Sequence, residues 1–392
     1  MAVAAVALAG ALPAHAQQGD EEPGFSAFAG TRLTYDTNLF RIDNSLEGTV
    51  GVDPRGLADT MFTAYAGVDG RWQVWGRQQL VVTGQVNQNI QDVYSEADYT
   101  GGNLLASLEW VAGNATYGDL TFTNLVDRVD FENQDVPIIK FRTRNRVSGA
   151  INRRLSTYWT IGAGAGYTET SFDAGVTRDV ERQDAFVRLV YQSRRGNELR
   201  FVADAEEREG TGINNLGFSG FALGPEIAWK LTTDLHLEGG LKYQERNPDD
   251  PELIPFDGPT GYFGVRWSPS EKVYLNADVQ REISSLGDQL SNFAIINRQA
   301  LSIEWLISRR LSYYIRGQHE QRDFELEPSL LPIPGIMPRE DEIISARIGG
   351  RWNPRRRLHF EVSAELGDRS SNRQFRDFRY ETYVIEFQYN FL

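Results

Sequence analysis

A period-two alternation of apolar and polar residues runs along nearly the whole chain and strongly limits the possible folds. In the segment 358–366 every second residue is apolar and the residues between are mostly polar: Leu358, Phe360, Val362, Ala364 and Leu366 alternate with residues such as Glu361, Ser363 and Glu365. Successive side chains of a β-strand point to opposite faces, so the pattern predicts strands whose two faces meet different surroundings. About eighteen such segments follow one another, from 25–41 to 375–391.

The connections between these segments alternate in length. Short ones such as 76–78 and 308–310 alternate with long ones such as 42–59 and 325–341. This arrangement predicts an all-β fold, a transmembrane up-and-down antiparallel β-barrel of about eighteen strands, with sixteen to eighteen compatible. Short turns are expected on the periplasmic side and longer loops outside. A soluble sandwich of so many strands would need protection for its open edges, whereas a closed barrel has none.

Tryptophan residues recur where a predicted strand meets a short turn. Four turns follow the same scheme, in which a tryptophan ends the strand, a polar or basic turn follows, and an apolar residue opens the next strand: Trp229, Trp267, Trp305 and Trp352. Amphipathic tryptophan rings prefer the interface between membrane and water. The sequence therefore predicts an aromatic girdle at the short-turn end of the barrel.

The last predicted strand alternates aromatic and apolar residues on one face as far as the chain end: Tyr383, Ile385, Phe387, Tyr389 and Phe391, followed by Leu392. It resembles the C-terminal strand by which the barrel assembly machinery recognises outer-membrane barrels. That resemblance implies the assembly machinery as a partner, beside outer-membrane lipid and lipopolysaccharide. The predicted location is the outer membrane of a Gram-negative bacterium.

The N-terminal segment reads as an export signal. Residues 2–14 form an apolar run too short to span a bilayer, and Ala14-His15-Ala16 matches the small-x-small pattern of a cleavage site. The sequence therefore predicts a signal peptide at 1–16, a short periplasmic tail at 17–24 and the barrel at 25–392.

Composition and motifs exclude several other classes. The chain has 54 acidic and 40 basic residues, a formal net charge of -14, which disfavours a nucleic-acid partner. It has no cysteine, hence no disulfide, thiolate nucleophile or zinc-thiolate site. His236, His319 and His359 lie on different predicted strands, without the neighbours of a catalytic triad or metal site. We therefore predict no enzyme activity, no catalytic residues, no metal and no cofactor.

The polar faces of the predicted strands carry charges of both signs, and a barrel this wide has room for water inside. The candidate lumen and substrate-track residues are Arg32, Asp36, Asn38, Arg142, Arg144, Arg146, Asp184, Arg188, Arg298, Glu304, Arg316, Glu320, Arg347, Arg351 and Arg376. They could guide a charged or hydroxyl-rich solute, because guanidinium groups bind carboxylates and sugar hydroxyls. Alternatively, a wet wall is polar and its charges pair with one another. The row 142–146 stands out, since three like charges on one face repel unless acids or an anionic ligand oppose them.

The long loop 325–341 is unusually apolar and rich in proline. Exposed apolar segments usually have a partner. We expect this loop either to fold into the mouth as a gate or to pack on a neighbouring loop. The candidate gate residues are Leu330, Leu331, Pro332, Ile333, Pro334, Ile336 and Met337.

The first strand contains Tyr35-Asp36-Thr37-Asn38-Leu39-Phe40-Arg41, directly after the short mature N-terminus. This heptapeptide resembles the opening strand of the EpsL-type outer-membrane barrels, a family of exopolysaccharide operons that is grouped with β-barrel porins. The resemblance covers seven residues and brings no catalytic residue. It implies passage of a secreted polysaccharide across the outer membrane, with polysaccharide and periplasmic or inner-membrane export components as partners.

Three functions agree with the sequence. The first is a non-enzymatic channel for exopolysaccharide export, with a polar, arginine-rich lumen. The second is a general or solute-specific diffusion porin. The third is a structural or adhesive barrel whose acidic loops bind cations or surface glycans. Conductance separates the channels from a closed structural barrel, and a polymer phenotype separates export from uptake.

Overall fold

The computed structural model describes residues 24–47, 55–134, 138–173, 179–210, 217–284, 291–326 and 337–391. These residues form eighteen strands: β1 (Gly24–Asp36), β2 (Asp59–Trp75), β3 (Gln78–Gln91), β4 (Tyr99–Ala112), β5 (Thr116–Arg128), β6 (Phe141–Arg154), β7 (Trp159–Phe172), β8 (Val180–Gln192), β9 (Glu198–Gly210), β10 (Phe218–Lys230), β11 (Leu235–Pro248), β12 (Phe256–Ser270), β13 (Val273–Ser284), β14 (Ser291–Ser308), β15 (Leu311–Leu326), β16 (Glu340–Arg355), β17 (Leu358–Ser371) and β18 (Phe378–Asn390). The segments Asn44–Leu46, Ser95–Ala97 and Phe131–Asn133 form single 3-10 turns. No described helix has the length and apolarity to cross a membrane.

Each strand pairs with its neighbours in the chain, and β1 also pairs antiparallel with β18. That last pairing closes the sheet, so the predicted up-and-down barrel and its strand number are confirmed. The closing register places Thr31 opposite Phe387 and Tyr35 opposite Tyr383. Both terminal strands are shorter than their alternation suggested, because β1 ends at Asp36 and β18 begins at Phe378.

The outer surface of the barrel is apolar. Its exposed side chains include Leu33, Val86, Leu120, Ile315 and Ile385, all on faces directed away from the lumen. Contact of such apolar faces with water would be unfavourable, whereas a lipid bilayer surrounds them with hydrocarbon. The strand faces therefore meet lipid outside and water inside, as the alternation predicted.

The aromatic girdle is confirmed and is larger than expected. All eight tryptophans of the chain lie near the short-turn ends of strands: Trp72, Trp75, Trp110, Trp159, Trp229, Trp267, Trp305 and Trp352. Seven of them are exposed large side chains, with Trp110 half-buried. A girdle at one level marks the position of one membrane interface.

Several lumen-facing tyrosines lie flat over a glycine on the neighbouring strand. Tyr65 faces Gly30 in register, and its hydroxyl donates to Glu386 at 2.5 Å. The same arrangement recurs with Tyr314 over Gly349 and Tyr380 over Gly367, with hydroxyls donating to Glu361 at 2.7 Å and Glu365 at 2.8 Å. Only a residue without a Cβ leaves room for the ring at these positions. The contacts pin the lumen wall on both sides of the β1–β18 seam.

We expect Gly30→Ala to destabilise the closed barrel. A Cβ at this position overlaps the ring of Tyr65 and the carbonyl oxygen of Phe387, and such overpacking costs about 1–3 kcal/mol. The measurement is gel electrophoresis of samples that have been incubated at a series of temperatures. It gives the temperature at which the band of the folded barrel is lost. Gly317→Ala is the matched control, because a Cβ there meets open space. Equal transition temperatures for the two variants would contradict the packing argument.

Candidate functional site: the charged lumen and a segment across its mouth

Most lumen-facing charges are neutralised by a partner one or two strands away. The pairs join Arg32 to Glu386 at 2.8 Å, Lys242 to Asp204 at 2.7 Å, Arg298 to Glu320 at 2.7 Å, Arg347 to Glu365 at 2.5 Å and Arg351 to Glu361 at 3.1 Å. Charges on a shared face attract when they are opposite and repel when they are alike. For these residues the structure agrees with the simpler interpretation, in which the charged side chains of a water-filled wall pair with one another.

The predicted row on β6 divides into paired and unpaired members. Arg142 Nε donates to Asp127 Oδ1 at 2.9 Å, and Arg146 lies 2.5 Å from Asp184. Arg144 lies between them and makes no ion pair with any described residue. All three face the lumen, since Val147 and Ile151 on the same strand are exposed on the outside.

The remaining predicted residues fall into two groups. Those on strands line the lumen: Arg188 donates to Asn152 at 2.9 Å, Glu304 lies 3.3 Å from Arg351, and Arg316 faces Arg347 in register. The alternation placed Asn38 and Arg376 on strands, within 25–41 and 375–391, and this was wrong: both lie in loops, because β1 ends at Asp36 and β18 begins at Phe378.

The heptapeptide at the start of the chain holds the barrel seam together. Arg41 forms an ion pair with Asp36 at 2.7 Å and lies 3.8 Å from the ring of Tyr380. Asn38 is fully buried, and its amide donates to the carbonyl oxygens of Ile42 at 2.7 Å and Arg379 at 3.2 Å. These side chains satisfy one another, so their pattern has an architectural reason that needs no ligand.

A segment that the sequence analysis did not single out crosses the mouth of the barrel. It belongs to the β5–β6 connection, of which residues 129–134 and 138–140 are described, and its Glu132 lies 2.7 Å from Arg322 on β15. Going round the sheet, β15 is eight strands from β5 through the seam and ten strands the other way. The contact therefore joins nearly opposite walls at the long-loop end.

Further contacts hold the segment in place. Arg369 on β17 donates to the carbonyl oxygen of Glu132 at 2.9 Å, and Arg376 donates to that of Gln134 at 2.9 Å. Arg322 is also held by Glu320 at 2.5 Å, and Arg369 forms an ion pair with buried Asp341. This cluster of paired charges fixes the far end of the crossing.

An apolar cluster fills the mouth on one side of the crossing. Its members come from the segments that follow β1, β3 and β5, and they are Leu39, Phe40, Val93, Tyr94, Ala97, Phe131 and Ile139. The Phe40 ring centre lies 4.7 Å from that of Tyr94 and 5.0 Å from that of Phe131. The cluster lies at the long-loop ends of β1–β5, and a second buried apolar cluster of Phe256, Ile283 and Phe293 lies at the same end of β12–β14.

Residues 127–139 are rich in carboxylates, so the sequence analysis did not predict that Glu132 contacts the opposite wall. The sequence signal was the presence of Phe131, Ile138 and Ile139 among its carboxylates, which is unusual for a fully solvated loop. The loop expected to act as a gate is a different one. Its residues 330–336 lie outside the described part of the chain, and Met337 is exposed.

Burial raises the pKa of Glu132 above the usual carboxyl range, and the charge of Arg322 opposes that rise in part. A carboxyl group with a raised pKa binds its proton more tightly in the packed position than when it is solvated. Lowering the pH toward this pKa therefore favours the packed segment.

Among the described residues, no group of three or more histidine, aspartate or glutamate side chains is arranged to hold a metal ion. The sequence contains no phosphate-binding loop and no dinucleotide-binding motif. A polar-lined barrel with a segment across its mouth has the geometry to conduct, exclude or select solutes.

Residues 205–391 match the family described as "Putative beta-barrel porin 2". Among solved structures, OccK2 (OpdF) of Pseudomonas aeruginosa is similar, with 10% identity, 94% of this chain and 98% of that chain covered, and a TM-score of 0.54. The same protein in complex with glucuronate is 11% identical, with 94% of this chain and 98% of that chain covered and a TM-score of 0.53. OccAB3 of Acinetobacter baumannii is 10% identical, with 94% of this chain and 99% of that chain covered and a TM-score of 0.53. No curated protein sequence matches the chain.

At such low identity these structures show the shared fold and nothing finer. The fold, the apolar outer surface, the tryptophan girdle and the porin match together show a porin-like β-barrel of the bacterial outer membrane.

We expect Glu132→Arg to release the segment from the far wall. The new guanidinium would stand beside those of Arg322 and Arg369, and like charges at this distance repel. The measurement is unit conductance in planar bilayers, which should increase. Glu271→Arg, in the exposed β12–β13 turn, should leave conductance unchanged. Equal conductance for Glu132→Arg and wild type would show that the crossing does not limit the current.

We expect acid to keep the mouth constricted. As the pH falls from neutral toward the raised pKa of Glu132, uptake of a proton favours the packed position, so unit conductance should not rise on acidification. Glu132→Gln, which mimics the protonated form, should retain the low conductance and lose the pH dependence that comes from this residue. A higher unit conductance of the wild-type channel at the lower pH would contradict the expectation that protonation of Glu132 favours the packed segment.

Proposed function

We propose that the protein is a diffusion channel for small polar solutes across the outer membrane. The observation that carries the proposal is the Glu132–Arg322 contact across the mouth of a wide, polar-lined barrel. A wall lined with ionic side chains keeps water inside a barrel of this strand number. The packed segment then limits the size of what passes. These features support selective passage of small solutes over a closed structural barrel.

Charged and polar side chains line the inner wall along β6–β14. Arg146 with Asp184 and Lys242 with Asp204 lie on this wall. Such paired groups offer hydrogen bonds to a hydroxylated solute without a large net field. OccK2, which shares the fold, was solved with glucuronate, and a solute of that size is the class that we propose to test.

The test is conductance and solute uptake by the purified, folded protein. In planar bilayers we expect stepwise ohmic currents, and in liposomes we expect swelling with monosaccharides that slows for oligosaccharides. Protein unfolded by heating is the control. Folded protein that gives neither current nor swelling would exclude the channel and favour a structural barrel.

Export of exopolysaccharide is the second candidate, and the heptapeptide 35–41 is the observation that favours it. The crossing segment opposes this role in the packed position, because a polymer chain needs more room than a monosaccharide. The test is the amount of extracellular polymer in a clean deletion strain and in the complemented strain. Loss of polymer that complementation restores would support export. Normal polymer with impaired growth on one solute would support uptake.

A further inference from the structure

Two neighbouring short turns carry arginines at the outside of the barrel. One turn joins β6 to β7 and the other joins β8 to β9. Arg153 lies on the outward face of β6, two residues beyond exposed Ile151, because alternate residues of a strand share a face. Arg194 and Arg195 are exposed in the second turn. We call Arg153, Arg194 and Arg195 the short-turn arginine site.

Three aromatic rings lie between these arginines. Tyr191 shares the outward face of β8 with exposed Leu189. Its ring centre lies 5.2 Å from that of Trp159 and 6.3 Å from that of Tyr158. Arg194 Nε donates a hydrogen bond to the hydroxyl of Tyr158 at 2.7 Å. These contacts join the two turns and hold the Arg194 guanidinium at the level of the tryptophan girdle.

The acids nearest to the site in the described chain are engaged elsewhere or face the lumen. Glu198, on β9, forms an ion pair with Arg200. Glu109 and Asp119 face each other in register on the lumen side of β4 and β5, since Leu120 points outward. In the described part of the chain, no carboxylate forms an ion pair with the three arginines of the site.

The segments outside the described residues attach to the barrel far from this site. The internal ones, such as 174–178 and 211–216, connect strands at the long-loop end, which is the opposite end of the barrel. Residues 1–23 precede β1, which is five strands from β6 and eight strands from β9. This segment contains Asp20, Glu21 and Glu22, so its charges are included in the test below.

A groove lies above the site on the lipid-facing wall and has a volume of about 450 Å³. Gly149 and Ala165 face each other in register at its floor, and Leu120 and Val147 flank them. Gly149 is four residues from Arg153, which corresponds to about 13 Å along a strand. One leaflet contains about 15 Å of hydrocarbon, so an acyl chain that starts at the arginines reaches the groove.

We propose that the short-turn arginine site binds an anionic phospholipid of the surrounding leaflet, with its phosphate at the arginines and one acyl chain in the groove. Short turns of such barrels are periplasmic, so this is the periplasmic leaflet. A guanidinium binds a phosphate through two parallel hydrogen bonds, and tyrosine and tryptophan rings favour the headgroup level. This inference goes beyond the channel function and does not depend on it.

Two observations favour a lipid over a second copy of this chain. In a two-fold contact between copies, the arginines of one copy would stand against the same arginines of the other, and like charges repel. Leu155, in the β6–β7 turn, is 58% exposed. Contact with water would be unfavourable for this side chain, whereas an acyl chain beside it is a favourable neighbour.

The test is retention of lipid by the folded protein in detergent, measured by native mass spectrometry. Phosphatidylglycerol is the anionic probe and phosphatidylcholine is the zwitterionic comparison. Wild type should retain phosphatidylglycerol at a lower concentration than phosphatidylcholine. The Arg153→Gln, Arg194→Gln variant should need about thirtyfold more phosphatidylglycerol for half occupancy, because two charges beside an anionic lipid are removed.

The matched control is the Lys230→Gln, Lys272→Gln variant. It removes two positive charges at the same rim, from turns that also contain an acid, Asp234 or Glu271. Its phosphatidylglycerol retention should equal that of wild type. The folded gel band shows that each variant is assembled. If the double arginine variant does not assemble, Arg195→Gln removes one exposed charge and should need about fivefold more phosphatidylglycerol.

A last variant, Asp20→Asn with Glu21→Gln and Glu22→Gln, tests the N-terminal segment. Unchanged retention is expected, and tighter binding of phosphatidylglycerol would show that this segment occupies the arginines. That result would overturn the lipid site. Equal retention of the two lipids by wild type would overturn it, as would equal weakening in the lysine control. Oligomers that the double arginine variant dissociates, in protein that retains no lipid, would assign this face to a second copy.

Conductance of the same proteins separates this inference from the proposed function. Wild type that retains phosphatidylglycerol and carries no current would sustain the lipid site and overturn the channel. Wild type that conducts and does not prefer phosphatidylglycerol would sustain the channel and overturn the lipid site.

Discussion

Backbone pairing between β1 and β18 is the constraint on which the rest of the structure depends. In hydrocarbon an unpaired N–H or C=O costs several kcal/mol, so a sheet in lipid is stable only when its first and last strands meet. The register of that seam then decides which side chains point inward on every strand, because each strand inherits its register from its neighbour. The tyrosines packed over glycines and the Asp36–Arg41 pair lie beside the seam and hold it in that register.

The lumen shows two electrostatic solutions on one wall. Where opposite charges stand on adjacent strands, they neutralise one another, as with Arg298 and Glu320. Across the mouth, the same chemistry has another use: Glu132 pairs with Arg322 and joins strands from nearly opposite walls. Ion pairs thus shape the passage as well as stabilising it.

Much of the fold and part of the site could be read from the residues. Alternation predicted the strands, their number and their inward faces, since a period of two has only one meaning in a barrel. Arg142, Arg144 and Arg146 were expected on the lumen and lie there. Their unequal pairing could not be predicted, because Asp127 and Asp184 approach from other strands at a register that local patterns do not reveal. The role of residues 129–140 was missed for the same reason, as its partners are about 190 and 240 residues away in the chain.

The sequence by itself determined a closed antiparallel barrel with an apolar outside, a charged inside and tryptophans at one rim. These properties follow from residue period and side-chain chemistry, which act over a few neighbouring positions. Only the tertiary structure decided that Glu132 reaches Arg322, that Asn38 is buried in the seam, and that Arg142 and Arg146 have acidic partners. Those outcomes depend on which walls closure brings face to face, and charge pairing between distant strands exists only after the register of the whole ring is set.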